Sequence, residues 1–335
     1  MPETLIVRLP NWLGDTVMAV PTIRALGKAR RQAKLVLAGP WSGLFVDQDL
    51  ADVLVAYPRA WSGRLRAADT VRALTPDIAV LLPNSFESAA SDWYWRAKRR
   101  IGFSAGGRDW LLTDRVTVPA PRRHQIDEYL MLLEPLRVRS ADTVPALTPP
   151  PSNGETRKTV RALLGEVGAA AGPRIGVHLG AAFGPSKIWP IQRIVEFCGL
   201  ARGENVVPVL MGAPDDEPLA RAVMEQIDVA NLVGRDRPDL LTALLSELDV
   251  VVCGDTGVGH LAAALGTPVV TLFGPTDWRL TAPRGPVEVV RHPTPCSPCF
   301  YRTCPIDHPC LRDIAAGDVE ERVRRFLAVA GARAR

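Results

Sequence analysis

The sequence predicts an α/β protein built from two doubly wound, Rossmann-like domains, each a parallel β-sheet covered by helices. Short apolar runs alternate with amphipathic segments along the chain, which is the rhythm of βαβ units. The alternation stops in a stretch rich in Pro, Thr, Ser and Gly at 137–156 and then starts again. With 335 residues, of which 47% are hydrophobic, the chain is long enough to form two ordinary cores.

The first half contains four short apolar runs bounded by turn residues, a pattern typical of strands buried on both faces. These runs are residues 4–9, 34–39, 53–58 and 77–83. Amphipathic segments predict helices near 16–31, 62–74, 86–98 and 124–136. Pro21 lies inside the first of these segments, and a residue without an N–H there predicts a kink.

The second half repeats the pattern. Strands are predicted at 174–180, 205–212, 249–255 and 268–274, with helices near 190–203, 214–227, 238–248 and 257–265. We therefore expect an N-terminal domain over 1–150 and a C-terminal domain over 157–316. An amphipathic helix within 317–335 is expected to pack back across the domain boundary. Ligands of such sheets bind beyond the carboxyl ends of the strands, so the cleft between the domains is the expected active site.

Charge and hydropathy restrict the compartment and the partners. The net charge is +4, and residues 1–150 hold 20 Lys and Arg against 15 Asp and Glu. No run approaches the roughly 18 apolar residues of a membrane-spanning helix. The N-terminus lacks the pattern of a signal peptide, which predicts a cytoplasmic protein. No nucleic-acid-binding motif accompanies the basic excess, so nucleic acid is not an expected partner.

The densest basic cluster follows three aromatic residues at 93–95. Its members are Arg96, Lys98, Arg99 and Arg100. Two interpretations fit this cluster: a solvated helix end, or a surface for phosphorylated or anionic lipid head groups.

The first motif with chemical meaning is LPNWLGDTVMAVPTIRAL, at residues 9–26. A strand leads into a loop in which Gly14 allows close backbone approach, and Asp15 opens a helix. Asp15 fits two roles, an N-cap that stabilises the helix or a general base at the edge of the cleft.

The second motif, HLGAAFGPSKIWP, spans residues 178–190. A strand runs into a loop of small residues, including Ala182, which leaves backbone amides accessible. Lys187 adds a positive charge before the next helix, a combination that suits an anion such as a diphosphate. A solvated Lys in a turn is the alternative.

The third motif, CGDTGVGHLAAALGTPVVTLFGPT, spans residues 253–276. A very apolar strand ends at Asp255, and Thr256 and Gly257 turn into a helix that carries His260 in its first turn. Free amides and a hydroxyl at a helix N-terminus predict a phosphate site. Taken alone, Asp255 fits an N-cap and His260 fits a hydrogen-bonded core histidine.

Four cysteines with C-x2-C-x4-C-x5-C spacing form the fourth motif, with His308 among them. They are Cys296, Cys299, Cys304 and Cys310. Disulfides are not expected in the cytosol, so structural zinc or an iron–sulfur cluster is one interpretation and free thiols are the other. The spacing matches no standard ribbon or ferredoxin pattern.

The ordered set of motifs resembles the bacterial lipopolysaccharide heptosyltransferase family, inverting glycosyltransferases with the GT-B fold. The resemblance covers nearly the whole chain. It comprises GDTVMAVP, LLPNSFESA, RIGF, GAAFGPSKIWP, LMGAPDDEPLA and GDTGVGHLAAALGTPVVTLFGPT. PNSF followed by GAAFGPSKIWP is especially similar to the heptosyltransferase II branch.

The resemblance implies residue roles. Asp15 matches the catalytic base, and Lys187 matches the residue that holds the donor diphosphate. The nucleotide and sugar-phosphate site would comprise Asp255, Thr256, Gly257 and His260. An acidic residue after the glycine of LMGAPDDE is also expected to meet the donor, with Asp215, Asp216 and Glu217 as candidates.

The resemblance also implies substrates. The donor would be ADP-heptose and the acceptor a lipid A–Kdo–heptose core, docked on the basic first domain at the cytoplasmic face of the inner membrane. No cofactor or catalytic metal would be required. A GT-B transferase with another nucleotide sugar, or a non-catalytic nucleotide-binding scaffold, are the alternatives.

Overall fold

The computed structural model describes residues 2–58, 61–235 and 237–333. The chain divides into two units, Met1–Pro145 and Ala146–Arg335. The division precedes Leu147, which is buried and donates its backbone N–H to the Ala264 carbonyl at 2.7 Å. The residues after Pro145 are thereby attached to the second unit.

The first unit contains the four predicted strands, followed by two strands that were not predicted. Its strands are β1 (Thr4–Arg8), β2 (Lys34–Gly39), β3 (Val53–Ala56), β4 (Ile78–Leu81), β5 (Arg99–Phe103) and β6 (Asp114–Val116). Its helices are α1 (Leu13–Met18), α2 (Val20–Ala29), α3 (Trp61–Ala73), α4 (Phe86–Tyr94) and α5 (Gln125–Met131). In place of the predicted kink, the helix breaks at Ala19 and α2 starts anew at Val20. Pro21 lies in the first turn of α2, where a residue without an N–H is tolerated.

All six strands of this unit form one parallel sheet in the order β3-β2-β1-β4-β5-β6. Val7 of β1 pairs with Leu37 of β2 on one side and with Val80 of β4 on the other. The chain therefore changes its winding direction between β1 and β4. In doubly wound sheets this switch point forms a crevice at the carboxyl ends of the strands, where ligands bind.

The second unit repeats the architecture. Its strands are β7 (Arg174–His178), β8 (Val207–Met211), β9 (Ala230–Asn231), β10 (Val250–Gly254), β11 (Val269–Phe273) and β12 (Val287–Arg291). Its helices are α6 (Glu155–Glu166), α7 (Ile191–Gly203), α8 (Glu217–Met224), α9 (Leu241–Ser246), α10 (Gly257–Ala264), α11 (Trp278–Thr281), α12 (Pro309–Arg312) and α13 (Ala316–Arg333). The parallel order is β12-β11-β10-β7-β8-β9, with Val252 of β10 paired to Val270 and Val177. The switch point of this sheet lies between β7 and β10.

The terminal helix α13 packs within its own unit. It contacts α7 and strands β10, β11 and β12. Val319 and Val323 of this helix are buried in the core of the second unit, together with Phe197 of α7. Among the described residues, no helix has the length and apolarity that crossing a lipid bilayer requires.

The basic cluster at 96–100 lies at the amino end of β5, on the edge of the sheet opposite the switch-point crevice. Lys98 pairs with Asp77 at 2.7 Å, and Arg99 pairs with Asp114 at 2.6 Å. Arg100 donates to two backbone carbonyls. Two of its four cations are thus ion-paired, and the interpretation as a surface for anionic lipid head groups stays a prediction.

Candidate functional site

Lys187 and Asp255 meet at the switch point of the second sheet. Lys187 lies in the loop that follows β7, and Asp255 directly follows β10, the neighbouring strand. Lys187 Nζ is 2.5 Å from Asp255 Oδ2 and donates to the Asp255 carbonyl at 3.2 Å. Both side chains are about nine-tenths buried. An ammonium has three N–H groups, so one of them is left for a ligand.

Two further side chains surround this ion pair. Thr276, which follows β11, donates its hydroxyl to Asp255 Oδ2 at 2.7 Å. Lys187 Nζ lies 4.7 Å from the centroid of the Phe183 ring, at a distance typical of a cation–π contact. The Asp255 carboxylate and the Phe183 ring thus hold the ammonium in one place, at the carboxyl edge of the sheet.

A close backbone contact explains why the strand ends in glycine. A Cβ on Gly254 would stand 2.6 Å from the Lys187 carbonyl oxygen. Any larger residue at this position would push the loop that carries Lys187 away from β10. The glycine of the CGDTG motif therefore permits the Lys187–Asp255 contact.

Helix α10 begins at the same edge. Thr256 is its N-cap, Gly257 its first residue, and the Thr256 hydroxyl is buried without a hydrogen-bond partner in the described chain. Amides and a hydroxyl at a helix N-terminus attract an anion. His260 is 5% exposed and lies one turn further into the helix, so α10 buries it in the protein interior.

Asp216 stands out among the three acidic candidates that the sequence left open. Its carboxylate lies against Gly180 after β7 and Gly212 after β8, since a Cβ on either glycine would meet Asp216 Oδ2 within 2.7 Å. The same oxygen accepts the Ala213 N–H at 2.9 Å. Burial raises the pKa of Asp216.

A small cavity lies beneath Lys187, lined in part by His178, Trp189 and Cys253. Burial lowers the pKa of His178 to about 4, so its imidazole is neutral at physiological pH. Burial raises the pKa of the Cys253 thiol to about 12. Neither group is therefore charged beneath the ion pair. Ala182, predicted at the donor site, lies exposed in the loop above.

Asp15 occupies the first turn of α1, after β1 of the first sheet. The N-cap of α1 is Trp12, so the alternative role of Asp15 as N-cap is wrong. Gly14 is buried in the same turn. Burial raises the pKa of the Tyr129 phenol, and repulsion from the nearby Asp15 carboxylate adds to this rise. Asp15 is thus half-buried beside α5, at the carboxyl edge of the first sheet.

Two fully buried arginines support the loops at this edge. Arg8, the last residue of β1, donates to the Leu9 carbonyl at 2.7 Å and lies 4.6 Å from the Tyr57 ring centroid. Arg108 donates to the Pro83 carbonyl at 2.5 Å and to Asn84 Oδ1 at 3.1 Å. Arg108 therefore fixes the conformation of the loop after β4.

Asp92 of α4 is fully buried near both arginines. Neither of its carboxylate oxygens has a hydrogen-bond partner among the described residues. Burial raises the pKa of Asp92 well above its usual range, although Arg8 and Arg108 oppose that rise. None of these three residues was predicted from the sequence. The one available signal was Arg8 itself, a charge inside an otherwise apolar strand.

The four cysteines of the fourth motif do not form a metal site. Cys310 is buried, Cys296 is exposed, and Cys299 and Cys304 are half-buried. Across 2–58, 61–235 and 237–333, no three His, Cys, Asp or Glu side chains are arranged to hold a metal ion. Burial, followed by repulsion from the other three thiols, raises the pKa of Cys310. The prediction of zinc or iron–sulfur ligation is therefore not supported, and hydrogen bonds to neighbouring loops hold the segment instead.

Two Rossmann-type sheets, one with a carboxylate and one with a lysine–aspartate ion pair at its switch point, are the architecture of the GT-B fold. The profile of Glycosyltransferase family 9 (heptosyltransferase) matches residues 64–309. The chain belongs to this family.

Curated relatives agree with this assignment. Lipooligosaccharide heptosyltransferase 2 of Haemophilus influenzae is 30% identical over 222 residues, which are 62% of this chain and 63% of that protein. Lipopolysaccharide heptosyltransferase 2 of Escherichia coli is 27% identical over 297 residues, covering 83% of this chain and 85% of that protein. The solved structure of E. coli ADP-heptose LPS heptosyltransferase II matches with a TM-score of 0.80 at 23% identity, over 98% of this chain and 99% of that one.

Proposed function

We propose that this glycosyltransferase transfers L-glycero-D-manno-heptose from ADP-heptose to the lipid A–Kdo–heptose inner core of lipopolysaccharide. The Lys187–Asp255–Thr276 arrangement beside the N-terminus of α10 carries the proposal, because it suits the diphosphate of a nucleotide sugar. Relatives named heptosyltransferase 2 support heptose as the sugar. The second unit would bind the donor and the first unit the acceptor.

The proposed reaction is a single displacement. The acceptor hydroxyl oxygen attacks the anomeric carbon, the bond from that carbon to the diphosphate oxygen breaks, and ADP leaves. Asp15 takes the proton of the hydroxyl as general base. Negative charge grows on the departing diphosphate, where Lys187 and the amides at Thr256 and Gly257 stabilise it. No cofactor or divalent metal takes part in these steps.

The acceptor is lipid-linked, so we propose that the enzyme acts in the cytoplasm, in peripheral contact with the inner membrane. A GT-B transferase that uses another nucleotide sugar is the second candidate. Lys187 and the N-terminus of α10 would bind the diphosphate of such a donor equally well, because these contacts do not involve the sugar. Competition between ADP-heptose and UDP- or ADP-hexoses for the purified protein distinguishes the two.

The decisive experiment follows ADP release from ADP-heptose and a heptosylated lipid A core, with EDTA present. We expect turnover by the wild type and a fall in kcat of about 10²–10⁴ for Asp15→Asn, with the KM for donor unchanged. Glu3→Gln, at the residue just before β1, is the control variant and should keep full activity. No release by a wild type that still binds ADP would refute this pair of substrates.

A further inference from the structure

The cysteine-rich segment, residues 295–308, is hydrogen-bonded to the loop that carries Lys187. Ser186 donates its backbone N–H to the Arg302 carbonyl at 3.1 Å. The Ser186 hydroxyl donates to the Tyr301 carbonyl at 2.6 Å. Two hydrogen bonds from the residue next to Lys187 thus fix the position of residues 301 and 302.

The segment also contacts the loop that leads to Thr276. Ser297 donates its hydroxyl to the Gly274 carbonyl at 2.6 Å. The backbone N–H groups of Cys299 and Phe300 both donate to the Pro275 carbonyl, at 3.0 and 2.8 Å. Because one segment bridges the loops after β7 and β11, it holds together the two sides of the Asp255 site.

Gly184 allows Arg302 to come close. Its φ of 145° suits glycine, and a Cβ there would stand 2.8 Å from the Arg302 carbonyl oxygen. Phe183, the preceding residue, has two cations beside its ring. Lys187 Nζ lies 4.7 Å and Arg302 Cζ 5.4 Å from the ring centroid. The two cations are therefore separated by no more than the sum of these distances.

The two cations differ in charge compensation. Lys187 is paired with the Asp255 carboxylate at 2.5 Å, so the pair is neutral. Arg302 is exposed, and its guanidinium has no carboxylate partner among the described residues. A nucleoside diphosphate brings two or more negative charges, which the neutral pair alone does not balance.

We propose that Arg302 binds the diphosphate of the nucleotide-sugar donor, as a second cation beside Lys187. A guanidinium presents a planar fork of N–H donors that matches phosphate oxygens, and the Phe183 ring limits its orientation. The cysteine-rich segment thereby gains a role: it delivers Arg302 to the donor site. The inference rests on the proposed function for the location of the diphosphate.

The test compares ADP with adenosine in calorimetric titrations of the full chain. Arg302→Ala should weaken ADP binding at least tenfold and leave adenosine binding unchanged, because adenosine has no phosphate. Arg302→Lys should restore part of the ADP affinity through its charge. Arg302→Gln keeps a long polar side chain beside Phe183 but removes the charge. We expect it to lose as much ADP affinity as Arg302→Ala.

The matched control is Arg312→Ala, since Arg312 is a nearby exposed cation that Asp313 already pairs with at 2.9 Å. It should bind ADP like the wild type. Equal ADP affinity for the wild type and both Arg302→Ala and Arg302→Gln overturns the inference and leaves the proposed function intact. A wild type that binds no ADP overturns both. A loss of ADP and adenosine binding together shows a structural role only, and also overturns the inference.

Discussion

At the scale of single residues, Lys187 and Asp255 depend on each other. Removing the ammonium leaves the mostly buried Asp255 carboxylate with the Thr276 hydroxyl as its one side-chain hydrogen-bond donor among the described residues. Breaking a buried pair by deleting one partner costs about 3–5 kcal/mol. We therefore expect Lys187→Ala to lower the free energy of unfolding and to abolish measurable transfer.

The double variant Lys187→Ala/Asp255→Asn separates these two effects. It removes the unpaired charge, so urea unfolding should show more stability than for Lys187→Ala alone, while activity stays absent. Equal stability of the single and double variants would contradict a buried, mutually compensated pair.

Asp92 gives a prediction about pH. In an unfolded chain an aspartate loses its proton near pH 4, whereas burial raises the pKa of Asp92 in the folded chain well above that value. Between these two pKa values only the folded chain binds the proton. The free energy of unfolding of the wild type therefore falls as pH rises through this range. Asn carries no such proton. Asp92→Asn should therefore gain stability relative to the wild type by up to about 1.4 kcal/mol per pH unit. Urea unfolding between pH 5 and 8 measures the difference.

Asp114 is the control for this series. Its hydrogen bond with Arg99 lowers its pKa, so its contribution to stability is complete above pH 5 and is lost only as pH falls further. The free energy of unfolding of Asp114→Asn should lie below that of the wild type by the same amount at every pH between 5 and 8. A constant difference for Asp92→Asn as well would show that Asp92 is ionised in the folded protein.

Sequence reasoning located Asp15, Lys187 and Asp255 because each follows a glycine or small-residue loop at a strand end. It did not single out Thr276, which hydrogen-bonds Asp255, or Arg302, for which we propose donor binding, although both lie in segments that it had singled out. A side chain such as Arg108 acts on the loop after β4 from about 25 positions away. Such residues come together only through tertiary packing, which the spacing of residues in the sequence does not indicate.

At the scale of elements, helix α10 lies close on β10. A Cβ on Gly259 would stand 2.7 Å from the Cys253 sulfur, in a fully packed region. Gly259→Ala should therefore lower the free energy of unfolding by about 1–3 kcal/mol through overpacking. It should also weaken ADP binding, since the N-terminus of α10 moves with the helix.

Gly165 of α6 is the matched control. A Cβ there meets nothing within 4 Å, and the residue is helical. Gly165→Ala should raise stability by about 0.5–1 kcal/mol, because alanine loses less backbone entropy on folding. Thermal unfolding of both variants measures the difference: the Tm should fall for Gly259→Ala and rise for Gly165→Ala. Similar changes in Tm for the two variants would refute close packing of α10.

Strands differed in how well the sequence predicted them. Central strands such as β1 and β10 were predicted because they are continuous apolar runs buried on both faces. The edge strands β6 and β9 are three and two residues long, and β12 is mostly half-buried. Such strands lack an apolar run, so only pairing with a neighbour reveals them.

At the scale of the whole molecule, each unit holds a complete six-stranded sheet. The fragment 146–335 contains every residue of the Lys187–Asp255–Thr276 arrangement and its own core. We expect this fragment to fold alone and to bind ADP within a few-fold of the full chain, without transfer activity. Circular dichroism and calorimetry measure both. Binding of ADP by the full chain only would show that the first unit contributes donor contacts.

The shared strand order of the two sheets bears on how this family diversifies. Under the proposed function, the loops at the strand ends of each unit meet a different substrate, so a substitution in the loops of one unit should leave the sheet of the other unchanged. A chimaera of residues 1–145 from one family member and 146–335 from another should inherit the acceptor of the first parent and the donor of the second.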